Sequence, residues 1–541
     1  METTNLSRIR RESMLNTINE IKKNVSDEAT LNNLSLIENE LTKKKYGLIW
    51  EEHQERVDKE LETQIPTFED VTKKMIKKND EKFNFLLEGD NLHSLYLLEK
   101  THKEKIDVIY IDPPYNTGKK NEWKYNDSWV DENDEYKHSK WLSFMYRRLI
   151  IAKKLLSNDG VIFISIDEHE IAQLSLLCQD IFGENNFDYM IWQKTDPRVD
   201  RNTNAKIIRR FKNIHEGILV CYKNKNNKIF NKMMKLPEWK NKQTNPDNDP
   251  RGPWSSGIMS YEEGHKNEDK NSEKYYSITT PSGKVYTRHW FVTKEEFERL
   301  RNDNRISFPK NGDGVPRIKT FENEEKDYYM ESILRGVGTS STAKDELLEI
   351  FNDREIFDTP KPTKLIKELV RVASDKNSII LDYFAGSGTT AQAVYELNKE
   401  DNGTRKFILC TNNENNICES ITYERIRKKV DDNLKYYKTS YVPKINTDEE
   451  NLSKNLMVNI KNLIQLENGI EVDEKKVRII LTEDAIDKFS VNEDELNVCD
   501  KIYISSDILL TSKEAKTFKD YNIEIYIIPE YYFDDEIREV A

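Results

Sequence analysis

The sequence predicts an α/β protein built on an open, mostly parallel sheet, and three observations predict it. Val108-Ile109-Tyr110-Ile111 is a β-branched and aromatic run stopped by Asp112-Pro113-Pro114-Tyr115. Ser378-Ile379-Ile380-Leu381-Asp382 is a second such run, broken by Tyr383-Phe384-Ala385-Gly386-Ser387-Gly388-Thr389 and followed by a helical pattern through Leu397. Around both, short apolar runs alternate with amphipathic helical periodicity, as βαβ units require. Runs of this kind are strands buried on both faces, and open sheets keep their sites at the carboxyl edge, where both runs end.

A chain of 541 residues, 36% hydrophobic and 33% charged, can bury the cores of several domains. Its net charge of −13 argues against indiscriminate coating of nucleic acid, but the signs are segregated. Residues 195–251 hold 14 Lys/Arg against 6 Asp/Glu, and residues 448–541 hold 11 against 23, so the two regions suit different partners. No stretch approaches 18 uninterrupted apolar residues and Met1-Glu2-Thr3-Thr4 begins no apolar signal region. The expectation is a cytoplasmic protein without a membrane span. Cys178, Cys221, Cys410, Cys418 and Cys499 show no CxxC spacing, so neither a disulfide framework nor a zinc site is indicated, and no metal is expected.

In chain order, residues 1–80 carry dense charge and helical periodicity, as in Leu31, Leu34, Ile37 and Leu41, and read as amphipathic helices forming either a surface pad or a dimer arm. Residues 81–224 form the first half of the main domain. Phe85-Leu86-Leu87-Glu88 ends in Gly89-Asp90, and a helix through Leu92, Leu95 and Leu98 leads to the Val108 run, a βαβ unit with a parallel pair. Asn116 to Tyr136 is a polar loop in which Trp123, Tyr125 and Trp129 either guide a nucleotide or anchor the loop. A helix at 141–156, a core strand at 161–167, a helix at 168–182 and a terminal hairpin of 189–194 with 217–222 follow, with His215 structural. From 225 to 345 the alternation fails in favour of Asn, Lys, Pro and Gly, which suits DNA contacts through phosphates and base edges or a solvated elaboration. Residues 346–437 form the second half of the main domain. Residues 438–541 show three further strands, near 477–481, 501–505 and 523–528, and read as an interaction module or a folding appendage.

Asp112-Pro113-Pro114-Tyr115 carries the first chemistry. Proline fixes φ and removes an N–H, so nearby carbonyls are held as rigid acceptors; Asp112 adds another acceptor and Tyr115 a stacking surface. A planar amine that must lose a proton fits such a pocket, and the exocyclic amine of a nucleobase is reached only by flipping the base from its duplex. The motif resembles that of the amino-group DNA methyltransferases, (Asp/Asn/Ser)-Pro-Pro-(Tyr/Phe/Trp). The resemblance implies catalytic roles for Asp112, Pro113, Pro114 and Tyr115.

The second run satisfies G-x-G-x-x-A after a strand, which places backbone N–H groups against a ligand at a helix N-terminus. Glu414, after the apolar run Phe407-Ile408-Leu409-Cys410-Thr411, is placed to accept from ribose hydroxyls. Asp382 is no phosphate ligand and favours a positively charged nucleoside cofactor, so the segment fits S-adenosylmethionine better than NAD. The order of motifs, catalytic first and cofactor last, resembles the circularly permuted β-class adenine-N6 enzymes. Gly89-Asp90-Asn91, Tyr115-Asn116-Thr117-Gly118 and the Lys-rich insert look most like the modification subunit of type III restriction systems. The resemblance implies a Rossmann-like, S-adenosylmethionine-dependent sheet with an inserted target-recognition region. It also implies cofactor-binding roles for Asp90, Lys361, Asp382, Phe384, Gly386, Ser387, Gly388, Thr389 and Glu414. Asp90 would lie by the cofactor's adenine or serve simply as a helix N-cap. Double-stranded DNA, a second copy of the chain and a helicase/nuclease restriction subunit are the partners implied. Asp at the first motif position leans toward adenine; cytosine N4 and, further off, a nucleotide-dependent oxidoreductase are the alternatives.

Overall fold

In the computed structural model, which describes residues 6–42, 50, 53, 55–79, 82–117, 137–196, 211–235, 245–322, 324, 326–444 and 449–528, the two apolar runs lie side by side in one ten-stranded sheet. In chain order its strands are β1 (Gln64–Asp70), β2 (Asn84–Glu88), β3 (Ile106–Ile111), β4 (Leu156–Ile166), β5 (Phe187–Gln193), β6 (His215–Tyr222), β7 (Ile333–Leu334), β8 (Ile379–Asp382), β9 (Lys406–Thr411) and β10 (Leu434–Pro443). Across the sheet they run β1-β10-β2-β9-β8-β3-β4-β6-β5-β7. The six strands from β10 to β4 are mutually parallel. Ile380 pairs with Val108 and Leu381 with Ile109, so β8 and β3 end next to each other at the carboxyl edge.

Sequence neighbours are not always sheet neighbours. β2 and β3, which read as an adjacent pair, are parallel but separated by β9 and β8, because strands from the far end of the chain insert between them. Asn84 of β2 ties the halves together: its Oδ1 accepts from the Phe407 N–H at 2.9 Å and its Nδ2 donates to the Asn433 carbonyl at 2.9 Å. β5 and β6 form the antiparallel hairpin, but β7 rather than the hairpin ends the sheet.

The helices Asn91–His102 and Lys137–Leu155 pack on each other, burying Leu95, Leu98, Trp141, Met145 and Leu149. Thr363–Ala373 packs on Thr389–Asp401. The N-terminal region is not purely helical: after helices at Leu6–Asn24, Glu28–Thr42 and Arg56–Thr63, β1 joins the sheet antiparallel to β10. Its Pro66 suits an edge strand, where a missing N–H costs least. At the other end, the helix Glu449–Asn468 packs on β1, with Ile460, Leu463 and Ile464 in the central core. Beyond it Val477–Ile480, Lys501–Ile504 and Glu524–Ile527 form a small parallel sheet over a core of Ile486, Phe489, Ile502 and Phe518.

The chain divides into two units, residues 1–230 with 332–541, and residues 231–331. The second is narrower than the expected 225–345. Residues beyond 331 are held by the first: the Trp192 indole donates to the Gly338 carbonyl at 3.0 Å and the Ser340 N–H to the Lys194 carbonyl at 2.9 Å. The second unit has its own core of Met259, Ile278, Trp290, Phe297, Leu300 and Ile306 beneath short antiparallel strands. Its buried Lys319 pairs with Asp247 and, at 3.5 Å, with Asp249. The aromatics Trp123, Tyr125 and Trp129 lie outside the described residues. Among the described residues no helix is long and apolar enough to cross a membrane, and no group of three or more His, Cys, Asp or Glu could hold a metal ion.

Candidate active site

β3 delivers Asp112 immediately past its last residue, Ile111. The turn that follows is fixed at several points. The Trp141 indole donates to the Pro114 carbonyl at 2.7 Å, whereas among the described residues nothing donates to the carbonyl of Pro113. Asn116 takes a left-handed φ of 59°, which Asn tolerates better than most residues, and its amide donates to the buried Glu170 at 2.5 Å. Tyr115 is buried and donates its hydroxyl to Asp112 Oδ1 at 2.7 Å.

Lys361 is expected against the cofactor, yet the fold places it on this acceptor cluster. Its Nζ lies 2.7 Å from both Asp112 oxygens, donates to the Tyr115 hydroxyl oxygen at 2.8 Å, and lies 3.4 Å from Glu216 Oε2. The reason is positional: Lys361 sits just ahead of the helix Thr363–Ala373, which packs against β3. Burial raises the Asp112 carboxyl above its ordinary pKa despite the pull of Lys361. Burial pulls the Lys361 pKa down, but Asp112 and Glu216 together outweigh it and raise it above its ordinary value. Lys194, the residue after β5, meets the other Glu216 oxygen at 3.3 Å.

β8 ends in the second acid. Asp382 is buried; its Oδ1 accepts from the Phe384 N–H at 3.0 Å and its Oδ2 from the Thr390 hydroxyl at 2.5 Å. Burial, against these two donors, pushes its carboxyl up to about 7. The turn beyond it needs glycine at Gly386 and Gly388, with φ of 49° and 77°. At Gly388 a Cβ would also come within 3.2 Å of the Thr422 carbonyl. Buried Arg425 donates to the hydroxyls of Ser387 and Thr389 at 3.2 and 2.8 Å, fixing the start of the helix Thr389–Asp401.

One cavity is lined by Asp112, Pro113, Pro114 and Tyr115 from the first run and by Asp382, Phe384, Gly386, Ser387 and Thr389 from the second, with Lys361 among them. A second cavity, at the ends of β2 and β9, shares Pro114 and Phe384 with the first and is lined by Asp90, Asn91, Thr411, Asn412 and Glu414. Asp90 caps the helix Asn91–His102 through the Leu92 N–H at 2.8 Å, lies 3.4 Å from Arg148 Nη2 and also faces this cavity. Gly388 shapes the turn without lining either cavity.

Sequence reasoning misses Glu216, Lys194, Trp141, Arg425 and Asn412. Their partners lie far along the chain, so no local spacing flags them; Glu216 stands beside His215, whose residue type draws notice but which is exposed.

Comparison with known proteins agrees with the geometry. Residues 106–424 match a family model described as DNA methylase. The chain is 34% identical over 381 residues to the type III restriction-modification enzyme StyLTI Mod subunit of Salmonella typhimurium, covering 66% of this chain and 56% of that protein. It is 32% identical over 431 residues to the EcoPI Mod subunit of Escherichia phage P1, covering 69% and 65%. It thus spans less than two thirds of the length of these relatives. Among solved structures, the Thermus thermophilus protein TTHA0409 complexed with S-adenosyl-L-methionine matches 65% of this chain and 99% of its own, at 15% identity and a TM-score of 0.32. Since the family model runs from the first residue of β3 through the glycine turn to the helix after Thr422, more than half of the sequence, the chain belongs to the DNA methylase family.

Proposed function

We propose that this protein transfers a methyl group from S-adenosylmethionine to N6 of an adenine flipped out of duplex DNA, as the modification subunit of a restriction-modification system. One observation carries the reading: an acceptor cluster suited to an amine and a glycine turn suited to a nucleoside cofactor line a single cavity, though they lie far apart in sequence. The choice of adenine rests on Asp112 at the first position of its motif.

The residues fit the cofactor. Asn412 Oδ1 is buried in the cavity that Asp90 and Glu414 also line, with no hydrogen-bond partner among the described residues, an acceptor awaiting a donor such as a hydroxyl or amine. The buried Arg148 on that wall is held by Glu55 at 2.9 Å, so its charge is already paired. Asp382, Phe384, Gly386, Ser387 and Thr389 would hold the amino-acid portion, and Asp90, Asn412 and Glu414 the nucleoside. When bound, S-adenosylmethionine supplies an electrophilic methyl on a positively charged sulfur.

Asp112 and the Pro113 carbonyl accept the two N6 hydrogens and raise lone-pair character on nitrogen, acceptors fixed before the substrate arrives. Trp141 contributes by occupying the Pro114 carbonyl, which leaves Pro113 to the amine. The Tyr115 ring supplies a stacking wall. As nitrogen becomes methylated, the departing proton passes to the Asp112 carboxylate. The insert is assigned to target recognition. Double-stranded DNA is the partner this reading requires; a restriction subunit and a second copy of the chain are its further partners, and the cytoplasm is its place.

Sequencing the genome of a bacterial host that expresses the chain tests the reading. Methylated adenines confined to one sequence motif, absent with Asp112→Ala, are the expected result; an unmodified genome, or modified cytosines instead, would overturn it.

A further inference from the structure

We propose that Lys361 and Glu216 act as a positioning pair that sets the charge of Asp112: Lys361 keeps it a carboxylate, and Glu216 draws the ammonium partly away so that acceptor capacity remains for the amine. This rests on the methyl-transfer reading for its purpose, though not for its test.

The geometry carries it. Asp112 lines the cavity together with Tyr110, Pro113, Pro114, Phe384 and the second acid, Asp382. Two carboxyls in one desolvated space oppose each other's ionisation. Lys361 is the counter-charge that reaches Asp112, bidentate at 2.7 Å and itself only 6% exposed. Its position is over-determined: it also donates to the Tyr115 hydroxyl and lies 5.1 Å from the Tyr115 ring centre and 5.9 Å from that of Trp192. Glu216 holds the same ammonium at 3.4 Å and is itself tethered by Lys194. The titratable groups facing Asp112 are therefore Tyr110 on β3, Tyr115 in the turn, Lys361 ahead of its helix, Glu216 on β6, Lys194 behind Glu216 at the end of β5, and Asp382 on β8.

The arrangement answers a chemical need. An amine acceptor must be anionic, but an apolar wall favours the protonated acid, which would present a donor where an acceptor is wanted. A lysine held on both oxygens secures the charge yet occupies the lone pairs that the amine needs. A second carboxylate sharing the ammonium reconciles the two requirements, because the ammonium can lean toward Glu216 without leaving the cluster.

Removing either partner should move the Asp112 titration in opposite directions, a signature that a packing role does not produce. The test is difference infrared titration of the full-length protein, following the C=O stretch of the protonated carboxyl, with Asp112→Asn identifying the band. Lys361→Gln should raise the midpoint by roughly 1–3 pH units, the usual effect of losing an opposite charge at this range. Glu216→Gln should lower it, and Lys361→Arg should leave it near wild type. The acid limb of the methyl-transfer rate should follow each midpoint, with Lys361→Gln partly recovering at high pH. Midpoints that coincide in wild type and Lys361→Gln overturn the proposal; so does an upward shift in Glu216→Gln, which decides the matter should Lys361→Gln not fold. Because the titration needs no turnover, the predicted shifts in a protein that transfers no methyl group would sustain the ion pair's role while removing the catalytic reading.

Discussion

Asp112 and Asp382 end neighbouring parallel strands and line one cavity, yet the chain treats them differently. Asp112 faces a cation, Lys361, on both oxygens, whereas Asp382 is served by a backbone N–H and a threonine hydroxyl. Neutral donors offset less of the desolvation of a buried carboxylate than an ion pair does. The difference teaches that residue type and burial do not set a role; the partner does. Under the proposed reading Asp112, paired with a cation, is the acceptor, while Asp382, pushed up to about 7, gains its charge when a cationic ligand arrives.

The largest predicted effect falls on the first acid. Asp112→Ala removes a preorganised acceptor at the reacting amine and should cut single-turnover methyl transfer by about 10²–10³-fold or more, with cofactor affinity little changed. Transfer at the wild-type rate would erase the distinction between the two acids. Tyr115→Ala loses both the stacking face and the hydroxyl on Asp112, and should cost roughly 1–3 kcal/mol in kcat/KM for DNA. Tyr115→Phe, which keeps the ring, should recover most of that loss, and failure to do so would shift the weight from stacking to the hydroxyl.

For the second acid the expected loss is in binding. Asp382→Ala should weaken S-adenosylmethionine about tenfold by calorimetry, about 1.4 kcal/mol, and leave DNA affinity intact; unchanged cofactor affinity would detach Asp382 from the pocket. The smallest effect is a pH dependence. In the free protein Asp382 is protonated below about 7 and ionised above it, so affinity for the cationic cofactor should rise as pH climbs through that value, with proton release on binding at the lower pH. Asp382→Asn should flatten that slope, and a wild-type affinity that falls as pH rises would contradict the assignment.

Much of this arrangement can be read from sequence because it is written locally. A Pro-stopped apolar run and a strand followed by G-x-G-x-x-A each state their own structure, and both end at the same edge of the sheet. What local pattern does not state is partnership. Strand β2 reads as the neighbour of β3, and only the fold shows β9 and β8 between them. β1 reads as part of a helical region because Gln64-Ile65-Pro66-Thr67 lacks strand-like alternation, and it pairs only because β10 offers an edge. The family resemblance implies a cofactor role for Lys361, but the fold holds its ammonium on Asp112. Glu216 carries no signal, since its meaning depends on Lys361 and Lys194, each supplied by another segment.

The central claim is that these two strand ends form one site for methyl transfer to an amine of DNA. The most direct measurement incubates the purified protein with duplex DNA and S-adenosylmethionine labelled in its methyl group, then digests the DNA to nucleosides and separates them. The account predicts label in the deoxy form of N6-methyladenosine, abolished by Asp112→Ala. Label in a methylated cytosine, or label that persists in that variant, would contradict it.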